Sequence, residues 1–177
     1  MRITISGAPG SGTTTLGRSI AGKYSYKYVS AGEVFRSLAK ERHMDLASFG
    51  KLAENDSAID KEIDARQKEI GESSDDIVLE GRLAGWMVDN ADLKILLYAS
   101  PECRSIRIAE RECLTEEQAF VMTVEREACE AGRYLDYYDI DITDNSPYDL
   151  IINSETFDAD ELFSIVNAAV SSILKRK

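Results

Sequence analysis

The residues best placed to do chemistry begin at position 7. Gly7-Ala8-Pro9-Gly10-Ser11-Gly12-Thr13-Thr14-Thr15 has the spacing G-x-x-x-x-G-x-T and follows the short apolar run Ile3-Thr4-Ile5-Ser6. That is the strand–loop–helix setting of a Walker A loop. Its glycines let the backbone curl so that amide groups and a helix N-terminus converge on a phosphate. Gly7, Ala8, Pro9, Gly10, Ser11, Gly12, Thr13, Thr14 and Thr15 are therefore candidates to hold the phosphates of a nucleotide, with the Thr14 hydroxyl offered to Mg²⁺. One position departs from the pattern: Thr13 stands where a lysine is usual. Without that charge a contact to the β- and γ-phosphates is lost, and other cations must neutralise a bound triphosphate.

Arginines supply them. From Ile95 through Leu174 the chain has no lysine but five arginines. Arg is the side chain that binds phosphate oxygens in a bidentate fork. Arg104, Arg107 and Arg111 are spaced i, i+3, i+7, which puts them within roughly 60° of one another on a helix. Cys103, Ile106, Ala109 and Cys113 are expected to form its apolar side. On the next helix Val121, Val124, Ala128, Ala131 and Leu135 read as the buried stripe, with Thr123, Arg126, Glu130 and Arg133 on the other face. Arg82 closes the run Ile77-Val78-Leu79-Glu80-Gly81, at the carboxyl end of a strand, where Glu80 could hold Mg²⁺ or its waters. Arg66 falls within the stripe of Ile59, Ile63 and Ile70, where a charge is costly unless paired or ligand-bound. Asp60, Asp64 and Gln67 flank that stripe and offer groups that could read a base edge. Arg36 lies off the Val34–Phe35–Leu38 face, within reach of Glu33.

The elements that must position these groups alternate. Strands are expected at Ile3–Ser6, Tyr26–Ser30, Ile77–Leu79, Leu93–Tyr98 and Leu150–Ile152, the last three read as central from their unbroken apolar runs. Helices are expected from about Thr13, around Val34–Ala39, over Leu46–Glu54 and Ile59–Ile70, after Ser100-Pro101, after the capping box Thr115–Gln118, and through Leu162–Leu174. Such alternation implies a three-layer α/β/α domain with a five-stranded parallel sheet, ligands lying beyond the carboxyl ends of the strands. With 177 residues, only three prolines and no repeat, one domain over 1–177 is expected.

The composition sets bounds on partners. Lys and Arg number 21 against 32 Asp and Glu, a net charge of −11. This argues against nucleic acid or anionic lipid as partner, since both require a basic face. Cys103, Cys113 and Cys129 form no C-x-x-C pair, and their odd number suits reduced thiols in the cytoplasm. Met1-Arg2 leads straight into the first strand, so no secretion signal is expected, and no run is long enough to span a bilayer. His43 reads as a surface residue.

The motifs together resemble the archaeal-type cytidylate kinases, small P-loop nucleoside monophosphate kinases related to adenylate kinase. The resemblance runs nearly end to end. It rests on Ser6–Thr15, Tyr28-Val29-Ser30-Ala31-Gly32 with Phe35-Arg36, Asp64-Ala65-Arg66-Gln67, and above all Leu79-Glu80-Gly81-Arg82-Leu83-Ala84-Gly85-Trp86. Arg126-Glu127, Arg133-Tyr134, Ile140-Asp141-Ile142 and Ser146-Pro147-Tyr148-Asp149 complete it. It implies transfer of the ATP γ-phosphoryl group to CMP or dCMP. A monomer using Mg²⁺ is expected. Ser30, Arg36, Arg66 and Arg82 would serve the monophosphate side, within acceptor-binding helices spanning about 31–70. Arg107, Arg111, Arg126 and Arg133, with Arg82, would form the catalytic set, carried by a short helical lid over about 104–133 and centred near Cys113–Phe120. An adenylate or broad pyrimidine monophosphate kinase is the alternative. A nucleotide-binding protein without turnover is the reading outside enzymes.

Overall fold

The computed structural model describes residues 1–176, with the backbone alone described at positions 47, 54 and 55. The elements run β1 (Arg2–Gly7), α1 (Thr13–Tyr24), β2 (Lys27–Ser30), α2 (Ala31–Glu41), α3 (Leu46–Asn55), α4 (Ser57–Ser73) and β3 (Ile77–Glu80). Then follow α5 (Ala84–Met87), β4 (Leu93–Tyr98), α6 (Pro101–Glu112), α7 (Glu116–Tyr138), β5 (Leu150–Asn153) and α8 (Ala159–Leu174). The five strands form one parallel sheet in the order β2-β3-β1-β4-β5. This is the doubly wound α/β architecture that the alternation implies.

Strand alternation divides the core into two layers. Ile3, Ile5, Val78, Ile95 and Leu97 pack with Leu16 and Ile20 of α1 and Val166 and Val170 of α8 on one face. Ile77 and Leu79 turn to the other face and meet Leu38, Phe49 and Ile59 from α2 to α4 and Val88 just past α5. Ile3 and Ile5 are completely buried, and each such side chain stabilises the fold by roughly 1.5–3 kcal/mol. Ser6, next along β1, points to the α5 side, where its hydroxyl accepts the Gly85 N–H at 3.0 Å.

The helix starts follow their sequence signals. The Ser100 hydroxyl accepts the Cys103 N–H at 3.1 Å with Pro101 in the first helical position. Thr115 and Gln118 close a reciprocal capping box at the head of α7.

Three expectations are corrected. Leu150–Asn153 is an edge strand: Ile152 faces α8, whereas Ile151 is 44% exposed beside an open cleft. On α6 it is Arg104, Ser105, Ile108 and Ala109 that are buried, while Ile106 and Cys113 are exposed. On α7 the apolar stripe faces water, with Val121 48%, Val124 42% and Leu135 53% exposed, and Thr123 and Glu130 are buried instead. The reason is that α7 docks through ion pairs: Glu127 and Glu130 reach Arg104 and Arg82 in the body of the domain. A hydrophobicity pattern cannot register those partners.

Candidate active site

Everything of chemical interest gathers at the carboxyl ends of the strands. Register places Ile5 and Ser30 level with Glu80, and Gly7 level with Leu97. The phosphate loop begins there. Gly10 and Gly12 have φ of 86° and 92°, a region that side-chain-bearing residues rarely enter. A Cβ on Gly10 would also lie 2.8 Å from the Arg104 carbonyl oxygen. The Ser11 N–H is used within the loop, on the Ala8 carbonyl at 3.0 Å. Gly12 caps α1 with no side-chain hydrogen bond, and the first turn of α1 holds no acidic residue. The N-terminal N–H groups of α1 therefore remain available to an anion.

Helix α6 braces the loop from outside. The buried Arg104 guanidinium donates to Ala99 O at 2.9 Å, Pro9 O at 3.3 Å and Glu127 at 2.7 Å. Arg107 donates to Gly10 O at 3.2 Å and to both the hydroxyl and the carbonyl of Ser154.

Thr13 lies where a Walker lysine would be, and its hydroxyl donates to Glu80 Oε1 at 2.8 Å. The other oxygen of Glu80 accepts the Tyr28 hydroxyl at 3.0 Å. Burial and the adjacent Glu80 carboxylate push the Tyr28 phenol up to about 12, so it remains a donor at neutral pH. Thr14 is exposed and shares the cleft wall with Glu80.

That cleft, about 850 Å³, is walled by the phosphate loop, Ser30, Arg36, Glu80, Arg82, Arg107, Arg111 and Arg126. A second pocket of about 270 Å³ continues from it, with Ala31, Gly32, Arg82 and Arg126 common to both. Its remaining walls are Phe35, Asp60, Ile63, Asp64, Gln67, Glu130, Arg133, Tyr134 and Tyr137. Two apolar or aromatic sides and a few polar groups suit a planar heterocycle.

The polar groups of the second pocket are mutually tied. Arg133 donates to Asp60 at 2.6 Å, and Tyr138 donates to Asp64 at 2.8 Å. Gln67 is buried and its amide nitrogen donates to the Glu80 carbonyl at 3.1 Å. Burial, and secondarily the Asp60 charge, raise the Asp64 carboxyl to about 6 against the opposing effects of Tyr138 and Arg133. Burial and neighbouring carboxylates also raise the phenols of Tyr134 and Tyr138. Glu130 accepts Arg82 Nε and Arg126 Nε, both at 2.7 Å.

The phosphate loop apart from Ser11, which is buried and reaches only a separate cavity, falls with Ser30, Arg36, Asp60, Asp64, Gln67, Glu80, Arg82, Arg107, Arg111, Arg126 and Arg133 on one continuous depression. Arg66 does not. It is 39% exposed at the side chain and pairs with Glu41 at 3.2 Å, which ties α4 to α2. Arg36 makes no ion pair among the described residues, whereas Arg18 takes Glu33 at 3.4 Å.

The sequence profile of the cytidylate kinase-like family matches residues 2–156. A cytidylate kinase of Methanocorpusculum labreanum is 82% identical over 177 residues, covering all of both chains. One of Methanoregula boonei is 57% identical over 176 residues, 99% of this chain and 97% of its own. The chain belongs to the cytidylate kinase-like family. A gluconokinase structure from Sinorhizobium meliloti superposes with a TM-score of 0.63 at 11% identity, over 99% of this chain and 94% of that one, and so shares the fold.

Within this family member, some site-forming residues escape a reading of the sequence. A third cavity, about 290 Å³, adjoins the phosphate loop between Thr15, Leu16, Arg107, Ser154, Phe157 and Leu162. Ser154 and Phe157 follow directly on β5, and the rule that ligands gather beyond strand ends is the available signal. Tyr134 and Tyr137 in the second pocket likewise go unmarked as wall residues. Tyr134 lies in the Arg133-Tyr134 motif but carries no role there, and no motif marks Tyr137; their helix has to be docked first.

Proposed function

We propose that this chain transfers the γ-phosphoryl group of ATP to the phosphate of CMP or dCMP, giving CDP or dCDP and ADP. The observation carrying this reading is the continuity of two clefts that share Arg82 and Arg126 as a common wall. A donor triphosphate on the phosphate loop and an acceptor monophosphate from the second pocket would meet at that wall.

Ser30 and Arg36 serve the acceptor phosphate from β2 and α2. Arg66, paired to Glu41, supports them by bracing α2 against α4. Cytosine presents an amino donor at N4, and Asp64 and Asp60 offer acceptors in a pocket of the right size. Uracil would bring an acceptor to the same place. The donor base suits the third cavity, between the Arg107 guanidinium and the Phe157 ring. Because the acceptor is already an anion, no nucleophile or strong base is required. Catalysis is alignment with charge stabilisation, for which Arg82, Arg107, Arg111, Arg126 and Arg133 are the cations at hand. Arg104 and Arg107 hold the start of the α6–α7 hairpin to the phosphate loop; its far part, centred near Cys113–Phe120, acts as the lid and excludes water from the transfer.

The residues present fit Mg²⁺. Glu80 and Thr14 are hard oxygen donors on one cleft wall, and this ion favours one or two carboxylates plus substrate phosphates and water. Bound there, the ion would neutralise charge on the bridging phosphates. We take the enzyme to work as a monomer, and in the cytoplasm, where free thiols such as Cys103, Cys113 and Cys129 stay reduced. Among the described residues no helix is long and apolar enough to cross a membrane.

A coupled assay of ADP release over CMP, dCMP, UMP, AMP, GMP and dTMP tests the proposal. Preference for CMP or dCMP is expected; a clear preference for AMP overturns the base assignment. Nucleotide-induced thermal stabilisation with no ADP formed would identify a binder instead.

A further inference from the structure

Glu130 presents a paradox in a cleft built for anions. Its side chain is only 4% exposed, and it stands in the wall of the acceptor pocket, where a negative charge repels phosphate. Neither oxygen is idle. Oε2 takes Arg82 Nε and Oε1 takes Arg126 Nε, each at 2.7 Å. Arg82 comes from the end of β3 in the body of the domain, whereas Arg126 sits one turn earlier on the same helix as Glu130. One carboxylate therefore grips two arginines of different origin, both through the nitrogen nearest the chain.

The choice of nitrogen matters. An arginine held at Nε has its guanidinium plane and direction defined, while the terminal NH₂ groups remain for another ligand. For Arg126 no terminal nitrogen has a protein partner among the described residues, and for Arg82 the only one is Glu127 at a distant 3.9 Å. Arg82 and Arg126 also line the cleft above the phosphate loop, from which Glu130 is absent. Glu130 stands behind the pair, away from the donor phosphates.

We infer that Glu130 is a positioning residue: it fixes Arg82 and Arg126 as one preset fork for the phosphoryl group in transfer, and so couples the lid helix α7 to the end of β3. This rests on the phosphoryl-transfer reading above. It explains why a buried acid persists in an anion site, since the cost in ground-state affinity is offset by orientation that matters in the transition state.

The test is Glu130→Gln, which keeps the size and removes the charge. An amide offers one acceptor oxygen, so only one arginine can remain fixed. The expected result is a split: kcat falls by about 10- to 100-fold, while KM for CMP stays within about threefold of wild type or decreases. A kcat above about one-third of wild type, or a fall in kcat matched by an equal rise in KM, overturns the inference. A second measurement needs no substitution of Glu130. Arginine Nε–H resonances of the intact protein are followed by NMR, with Arg126→Ala (a side chain 63% exposed) assigning one of the pair. Both protons should resist solvent exchange in the free protein and after addition of CMP with a non-hydrolysable ATP analogue. Rapid exchange of both in the ternary complex would show that Glu130 releases the arginines on binding, and the inference fails. Wild-type turnover of CMP is assayed beside these. Its absence refutes the phosphoryl-transfer reading, whereas an active wild type without the split refutes only the role of Glu130.

Discussion

Replacing Asp64 by asparagine should make the protein more stable and a poorer discriminator of bases. Its carboxyl is raised by burial from an ordinary 3.8 to about 6. At about 1.4 kcal/mol for each pH step, that difference corresponds to about 3 kcal/mol. The sign follows from proton binding. Between these values the folded state holds the proton more tightly than the unfolded chain does. The favourable contribution is therefore fully present below about pH 3.8 and lost as pH rises through about 6. At pH 8 the wild type bears the whole cost of a buried charge, and asparagine does not. The Tyr138 hydrogen bond and the Arg133 charge are already contained in that value. The gain at pH 8 is therefore about 3 kcal/mol, or ~6–12 °C in Tm for a domain of this size. Thermal unfolding at pH 4 and pH 8 checks it: the two proteins should coincide at the lower pH and separate at the higher. An Asp64→Asn variant no more stable than wild type at pH 8, or a gap independent of pH, refutes the reasoning. In the coupled assay the amide, both donor and acceptor, should raise KM for CMP by about 10-fold and narrow its advantage over UMP.

Thr13→Val removes the hydroxyl that holds Glu80 Oε1; kcat/KM should fall about 10-fold and the Mg²⁺ concentration for half-maximal rate should rise, as a metal titration would show. Arg133→Ala should lower kcat by roughly 10³ with little change in Tm, and near-normal turnover would remove Arg133 from the catalytic set. Gly10→Ala forces a Cβ to within 2.8 Å of a carbonyl oxygen at φ 86°. It should cost about 1–3 kcal/mol of stability and raise KM for ATP more than KM for CMP, read by thermal unfolding and steady-state kinetics.

Legibility in the sequence tracks how local the cause is. The phosphate loop is visible because backbone geometry demands glycine at fixed positions, and Gly10 and Gly12 occupy the expected left-handed conformations. Helix heads at Ser100 and Thr115 are equally plain, since a cap involves residues three apart. The face of α7 reads backwards from its apolar pattern, and on α6 only Ala109 of the expected apolar side is buried. Their burial depends on Arg104 finding Glu127 and Arg82 finding Glu130, pairs separated by 23 and 48 residues. Likewise β5 looks central from its apolar run, but only the strand order shows it at an edge. The net charge of −11 gives no hint of a cleft walled by arginine; placement, not total, decides the local field.

The contacts of α6 with the phosphate loop have a thermodynamic consequence. Arg104 holds the Pro9 carbonyl and Arg107 the Gly10 carbonyl before any nucleotide arrives. With its carbonyls drawn outward, the loop has its amides set as part of folding, so the entropy of ordering it is already lost in the free protein. Calorimetry of triphosphate binding should then carry no large ordering penalty from the loop, and what remains unordered in the free protein must lie elsewhere.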